Sequence, residues 1–186
     1  DPANTIDVTV TWEYNSAEAA LDFLGQGERV TAVFTVTVTD DENATATQDV
    51  TITITGSNDD PVISIVPGDV TGNIIEGTTL TDSGSMTFTD VDLTDTPFAT
   101  EATSTVTALQ QDGSTVLTLD GTQQAAIEAA FSITNDPANT NDGTVTWDYT
   151  ITEAALDFLG QGETVEAIFT ITVTDDNGDT DTQDVT

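Results

Sequence analysis

Residues 1–51 recur at 136–186 without a gap, an offset of 136 − 1 = 135 residues, and most positions in the two stretches are identical. Trp12 falls on Trp147, and Leu21-Asp22-Phe23-Leu24-Gly25-Gln26-Gly27-Glu28 falls on the same run at 156–163. A period of this length is a whole domain rather than one coil of a solenoid, so the chain is expected to fold as like modules in tandem. The repeat divides it into residues 1–59, the C-terminal part of one module, and residues 60–186, most of the next. The second copy stops before its own version of Ile52-Thr53-Ile54-Thr55. The chain is therefore expected to be a window on a longer array. Its half-module should present an open apolar face, and its second module a gap beside the strand at 164–174, each completed by neighbouring copies of the same module.

Local patterning predicts strands. Phe34, Val36 and Val38 alternate with Thr35, Thr37 and Thr39, and Val50, Ile52 and Ile54 with Thr51, Thr53 and Thr55. A pleated chain puts each apolar set on one face. Asp40-Asp41-Glu42-Asn43 between them reads as the acidic tip of a β-hairpin. Further strands are expected at 61–66 and 85–89, and at 103–108 paired with 114–119 across Gln110-Gln111-Asp112-Gly113. Two stretches read instead as short helical connections: 122–131, with Thr122 as a cap, and 152–160, stopped by Gly160. The fold class is all-β, antiparallel β-sandwich modules in tandem. Val145, Trp147 and Tyr149 share one face of an alternating strand, which places Trp147 in the core.

Charge and inventory narrow the function. Against 34 acidic residues stands one basic residue, Arg29, for a net charge of −33. Such a field repels nucleic acid and anionic lipid, and no stretch is long and apolar enough to enter a bilayer, so neither partner is expected. With no His, Cys or Lys, the chain lacks imidazole bases, thiolate nucleophiles, Schiff-base amines, disulfides and the usual zinc ligands. Carboxylate-pair chemistry remains, but paired acids are so abundant here that their presence carries no information. The chain is read as not an enzyme.

The acidic clusters are the candidate chemistry. Calcium takes six to eight oxygen ligands from carboxylates, amides and carbonyls, and Asp/Asn turns supply them. Three groups stand out: Asn58, Asp59 and Asp60 in the joint Gly56-Ser57-Asn58-Asp59-Asp60-Pro61; Asp90, Asp92 and Asp95; and Asp175, Asp176 and Asn177. The last is not an EF-hand, since the twelfth position from Asp175 is Thr186, where a bidentate Glu is required. Nor is its turn uniform between copies, because Ala44 and Ala46 stand opposite Asp179 and Asp181. The plain alternative for that turn is a solvated acidic loop.

Residues 34–61, with Thr89-Asp90-Val91-Asp92, resemble the VCBS-type repeats of giant RTX-class bacterial adhesins and, more distantly, cadherin modules. In cadherins a strand leads into an Asp-x-Asn-Asp-x-x-Pro-like linker that ligates calcium, which Asn58, Asp59, Asp60 and Pro61 approach. Gly56 stands where cadherins usually carry an acidic residue. By the same analogy Glu76 would serve the joint after the second module. The resemblance implies an Ig/cadherin-like sandwich, Ca2+ at the joints, an extracellular or cell-surface setting, and the role of an extender that holds an adhesin's binding domain away from the cell. The alternatives are a carbohydrate or cell-surface binding module and a halophile's acidity without specific metal sites.

Overall fold

The computed structural model describes residues 9–186. The opening residues 1–8, which the repeat sets opposite 136–143, lie outside the described residues. The fold is all-β, built from antiparallel sheets with short helical connections.

A 3-10 turn at Glu18–Ala20 precedes a long hairpin of β1 (Arg29–Thr39) and β2 (Thr45–Thr55), in register from Arg29 opposite Thr55 to Thr39 opposite Thr45. Its tip is the expected acidic turn, where Asp40 Oδ1 accepts from the amides of Glu42 at 2.9 Å and Ala44 at 2.8 Å. Asn43 takes φ 66° there, and its repeat counterpart Gly178 takes φ 97°. That exchange between copies keeps to residue types that tolerate the left-handed region.

The second unit is a sandwich. One sheet has the order β3 (Val62–Ile65), β4 (Thr81–Thr89), β7 (Gly143–Thr150), β6 (Phe131–Asn135); the other has β5 (Phe98–Leu109), β8 (Thr164–Thr174), β9 (Thr180–Val185). Inward residues of both meet in one core: Met86, Phe88, Val145 and Trp147 from the first sheet against Phe169, Ile171, Val173 and Val185 from the second. Phe131 bridges them, its ring stacked on Phe169 at 4.2 Å between centroids. Trp147 lies in this core as the alternation predicts, its indole N–H donating to the Asp69 carbonyl at 2.7 Å. Gly84 makes that approach possible, since a Cβ there would overlap both the Asp69 carbonyl and the indole.

Three local expectations change. The pairing of 103–108 with 114–119 is confined to the end nearest the turn, where the Leu117 amide donates to the Ala108 carbonyl and the Gln110 amide to the Thr115 carbonyl, each at 2.8 Å, about a bridge from Leu109 to Val116. The rest of that stretch lies in β5, which runs along β8 from Phe98 opposite Thr174 to Leu109 opposite Thr164. The first helix, α1 (Gly121–Glu128), is capped by Asp120 rather than Thr122: the Asp120 carboxylate accepts from the amides of Thr122 and Gln123, and the Gln123 side chain returns to the Asp120 amide. The chain then extends at once, so Phe131 opens β6. The second helix, α2 (Glu153–Leu156), starts at Thr152 and stops short of Gly160.

The two copies of the repeat sit in opposite surroundings. Trp147 is 1% exposed and Trp12 is 58% exposed; Phe169 is 3% exposed and Phe34 is 48%. β1 and β2 form a two-stranded sheet with no facing layer among the described residues, so its apolar face is open. No helix of the described residues is long and apolar enough to cross a membrane.

Candidate metal centre

Four aspartates are buried where the joint meets the sandwich: Asp90, Asp92, Asp95 and Asp175. The chain's one basic side chain, Arg29, is exposed at the start of β1. Three features bring them together. β4 ends at Thr89, and the next turn closes with the Asp92 amide donating to Asp90 Oδ1 at 2.9 Å and the Asp95 amide donating to the Asp92 carbonyl at 3.2 Å. Asn141 pins that turn through its carbonyl, which accepts from the Asp90 amide at 3.0 Å, and its side-chain amide, which donates to the Asp90 carbonyl at 2.7 Å. Asp175 opens the β8–β9 turn and accepts through Oδ1 from the amides of Asn177, Gly178 and Asp179 at 2.9, 2.6 and 2.8 Å.

The joint closes over them. The Asn58 side-chain amide donates to Asp175 Oδ2 and Asp179 Oδ2, each at 2.8 Å, while Asn58 Oδ1 accepts from the Asn177 amide group. The Asp59 amide donates to Asp92 Oδ2 at 2.9 Å, and the Ile63 amide to Asp181 Oδ2 at 2.7 Å. The first unit contacts the same turn, with the Leu93 amide donating to the Phe23 carbonyl at 3.3 Å and Gly25 lying against Asp92 and Asp95. Gly56, where the cadherin comparison expects an acid, is held too closely for a side chain: a Cβ would overlap the carbonyls of Leu24 and Gly25.

The result is a pocket of converging carboxylate oxygens. One oxygen each from Asp90, Asp95 and Asp175 lie within 4.8 Å of one another. Asp90 Oδ2 and Asp92 Oδ1 are buried and accept no hydrogen bond. Burial pushes the Asp90 carboxyl up to about 6; the Asp92 amide opposes this, and the charges of Asp92, Asp95 and Asp175 add to it. Asp95 is raised by burial and then by Asp92, Asp176 and Asp175. Asp59 is raised by burial and by Asp92, Asp22, Asp60 and Glu18, which locates two acids of the first unit beside the joint. Asp175 is also penalised by burial, but its bonds from Asn58 and three amides outweigh that and leave it below its ordinary value. Buried carboxylates that repel one another and lack donors form an unfavourable arrangement that a cation reverses.

Of the residues singled out in the sequence, Asn58, Asp59, Asp90, Asp92, Asp95, Asp175 and Asn177 meet here. Asp60 is exposed at the rim, and Asp176 is exposed and accepts from the Thr96 hydroxyl at 3.0 Å. Glu76 stands apart, in an exposed group with Glu153 and Asp157. The 175–181 turn is thus neither a separate site nor a wholly solvated loop: Asp175 is a wall of the joint, and Asp179 and Asp181 fasten the linker. Sequence reasoning set Asp179 and Asp181 aside because Ala44 and Ala46 stand opposite them, and it did not single out Glu18 and Asp22.

An all-β sandwich with a buried, oxygen-only acidic centre at a linker is the class that fold and site define. No protein-family model matches the chain, and no curated protein matches it.

Proposed function

We propose that this chain is a calcium-rigidified extender repeat of a large surface or secreted bacterial adhesin or fibre, and that the buried aspartate cluster is its calcium site. The observation that carries the reading is the pair of buried, unpartnered oxygens, Asp90 Oδ2 and Asp92 Oδ1, beside the converging oxygens of Asp95 and Asp175. A set of carboxylates and amides with no nitrogen or sulfur donor suits a hard cation, and the number of carboxylates suits calcium over magnesium, which retains water and takes few of them. Asp90, Asp92, Asp95 and Asp175 would hold the ion, with Asn58 Oδ1 nearby; Asp59, Asp60, Asp22 and Glu18 add negative charge at the rim.

The work is mechanical. The linker, the Asp90–Asp95 turn and the Asp175 turn each bring ligands or fastenings, so filling the site ties three segments that otherwise repel. A joint so tied loses its hinge freedom, and stacked sandwiches become a stiff spacer. Sites of this kind in extracellular modules fill at about 10⁻⁴–10⁻³ M calcium, which matches a surface or secreted setting.

The test is thermal unfolding of the intact chain in chelator, in calcium, and in sodium chloride of matched ionic strength. A specific site raises the melting temperature at millimolar calcium or below. Equal responses to calcium and sodium would mean general screening of the acidic surface, and would defeat the proposal.

A further inference from the structure

Two side-chain amides run through the acidic centre, and all four of their N–H bonds are spent there. The Asn58 nitrogen donates to Asp175 Oδ2 and to Asp179 Oδ2, each at 2.8 Å. The Asn177 nitrogen donates to Asn58 Oδ1 and, at 3.4 Å, to Asp95 Oδ2. Neutral donors thereby link three carboxylates that belong to two separate turns.

The donors are unevenly shared. Asp175 accepts three amides of its own turn on Oδ1 and Asn58 on Oδ2. Burial raises its carboxyl, and the Asn58 bond leads the contacts that bring it back below its ordinary value. Asp90 Oδ2 and Asp92 Oδ1 receive nothing. On the Asp175 side, then, the positive end of the Asn58 amide dipole lies between two carboxylates, where it does for them part of what a cation would do. It cannot serve a metal-free and a metal-loaded joint alike, because one amide cannot turn its protons to Asp175 and its oxygen to an ion bound there.

We propose that Asn58 is a switched latch, a reading that rests on the calcium site and concerns its regulation. In metal-free protein its amide protons hold the linker on Asp175 and Asp179. On loading, the Asn58 and Asn177 amides turn over together, so that Asn58 Oδ1 faces the ion and Asn58 Nδ2 donates to Asn177 Oδ1. The terminal torsion of Asn is soft and two-fold, and its oxygen and nitrogen are close in size, so the turnover leaves the packing as it was. The bond between the two amides survives with its direction reversed, and the ion takes over the carboxylates that the protons release. The joint is thus closed before calcium arrives, and loading stiffens it. The latch also competes with the ion, which lowers the apparent calcium affinity by the fraction of joints held in the latched form.

Asp179 separates the two roles. It accepts from Asn58, yet it is exposed and outside the converging group of Asp90, Asp95 and Asp175. The first copy shows that the turn closes without it: Ala44 stands in its place, and Asp40 accepts from the amides of Glu42 and Ala44 as Asp175 does from those of Asn177 and Asp179.

The test uses the intact chain with Asp179→Ala and, separately, Asn58→Asp. In chelator, small-angle scattering should show a looser joint in both variants than in the parent. In isothermal titration both should bind calcium more tightly, by about threefold or more, since the competitor is weakened or gone. Weaker binding in either variant would mean that the loaded joint needs the Asn58 protons, and overturns the proposal. In the ¹⁵N-labelled parent, the Asn58 side-chain protons should show contacts to Asp179 in chelator that vanish at saturating calcium. A chain that binds calcium and keeps those contacts defeats the switch alone. A chain that shows them in chelator and responds to calcium in no measurement defeats the calcium site, and the switch with it.

Discussion

The Asp59 amide donates to Oδ2 of Asp92 at 2.9 Å, and the other oxygen of Asp92 is buried with no donor. One carboxylate therefore fastens the linker and carries an uncompensated charge. Replacing it with Asn keeps an acceptor for Asp59 and removes the charge. In chelator, Asp92→Asn is expected to be more stable than the parent by about 1–3 kcal/mol, the cost of an unsatisfied buried polar group. In calcium it should be less stable, because a ligand is gone. Denaturant titrations under both conditions check this crossover; a variant less stable in chelator and still fully responsive to calcium contradicts it.

The Asp90 carboxyl, pushed up to about 6 by burial, makes stability depend on pH in a stated direction. The folded state holds a proton that the unfolded chain, with an ordinary value of about 3.9, has released, so the slope of stability with pH is negative across that interval. Metal-free protein should thus weaken as pH rises from about 4 to about 6. The whole acidic surface pushes the same way, so Asp90→Asn is the control and should make the decline shallower. Asp175, held below its ordinary value, acts with the opposite sign at lower pH, where protonation loses its four donors. In calcium the trend between about 4 and about 6 should reverse, since deprotonation prepares the site.

The repeat provides a controlled comparison of one residue type in two settings. Trp147→Ala should cost about 3–5 kcal/mol, as expected for an aromatic removed from a packed core. Trp12→Ala, at the matching position on an uncovered face, should cost less than about 1 kcal/mol. Equal costs from chemical denaturation would mean that Trp12 is covered in solution.

Gly56→Ala places a methyl group against the carbonyls of Leu24 and Gly25. The linker must shift, at about 1–3 kcal/mol of local strain. Calcium affinity is expected to fall while the sandwich core melts as before. Isothermal titration and near-ultraviolet circular dichroism separate the two effects; unchanged affinity would show that the linker tolerates the shift.

Much of the fold was legible because it is written at short range. The alternation at 34–38 and 50–54 specifies β1 and β2, and the acidic turn between them leaves little freedom in their register. Trp147 was placed by the same period. The turn end of the 103–119 pairing was legible, but β8 as the partner along the other edge of 103–108 was not, because it lies more than fifty residues away and only the closed sandwich brings it there. The cap of α1 was misplaced by two residues because Asp120 and Thr122 are both capable caps, and the reciprocal bond from Gln123 selects Asp120. In the metal centre, Asp90, Asp92 and Asp95 are read from one turn. Their convergence with Asp175 spans eighty residues or more of chain, a relation no local pattern carries. Gly56 looked like a missing ligand, and its reason appears only when the carbonyls packed against it are seen.

Arg29, exposed where β1 begins, has a further consequence. A protease that cuts only after basic residues finds one bond to attack in the whole chain. That bond follows the segment carrying Phe23 and Gly25, which press against the Asp92 turn, and it opens the strand opposite Thr55. A chain of this composition is close to invisible to trypsin-like digestion, and its single point of weakness sits beside the joint.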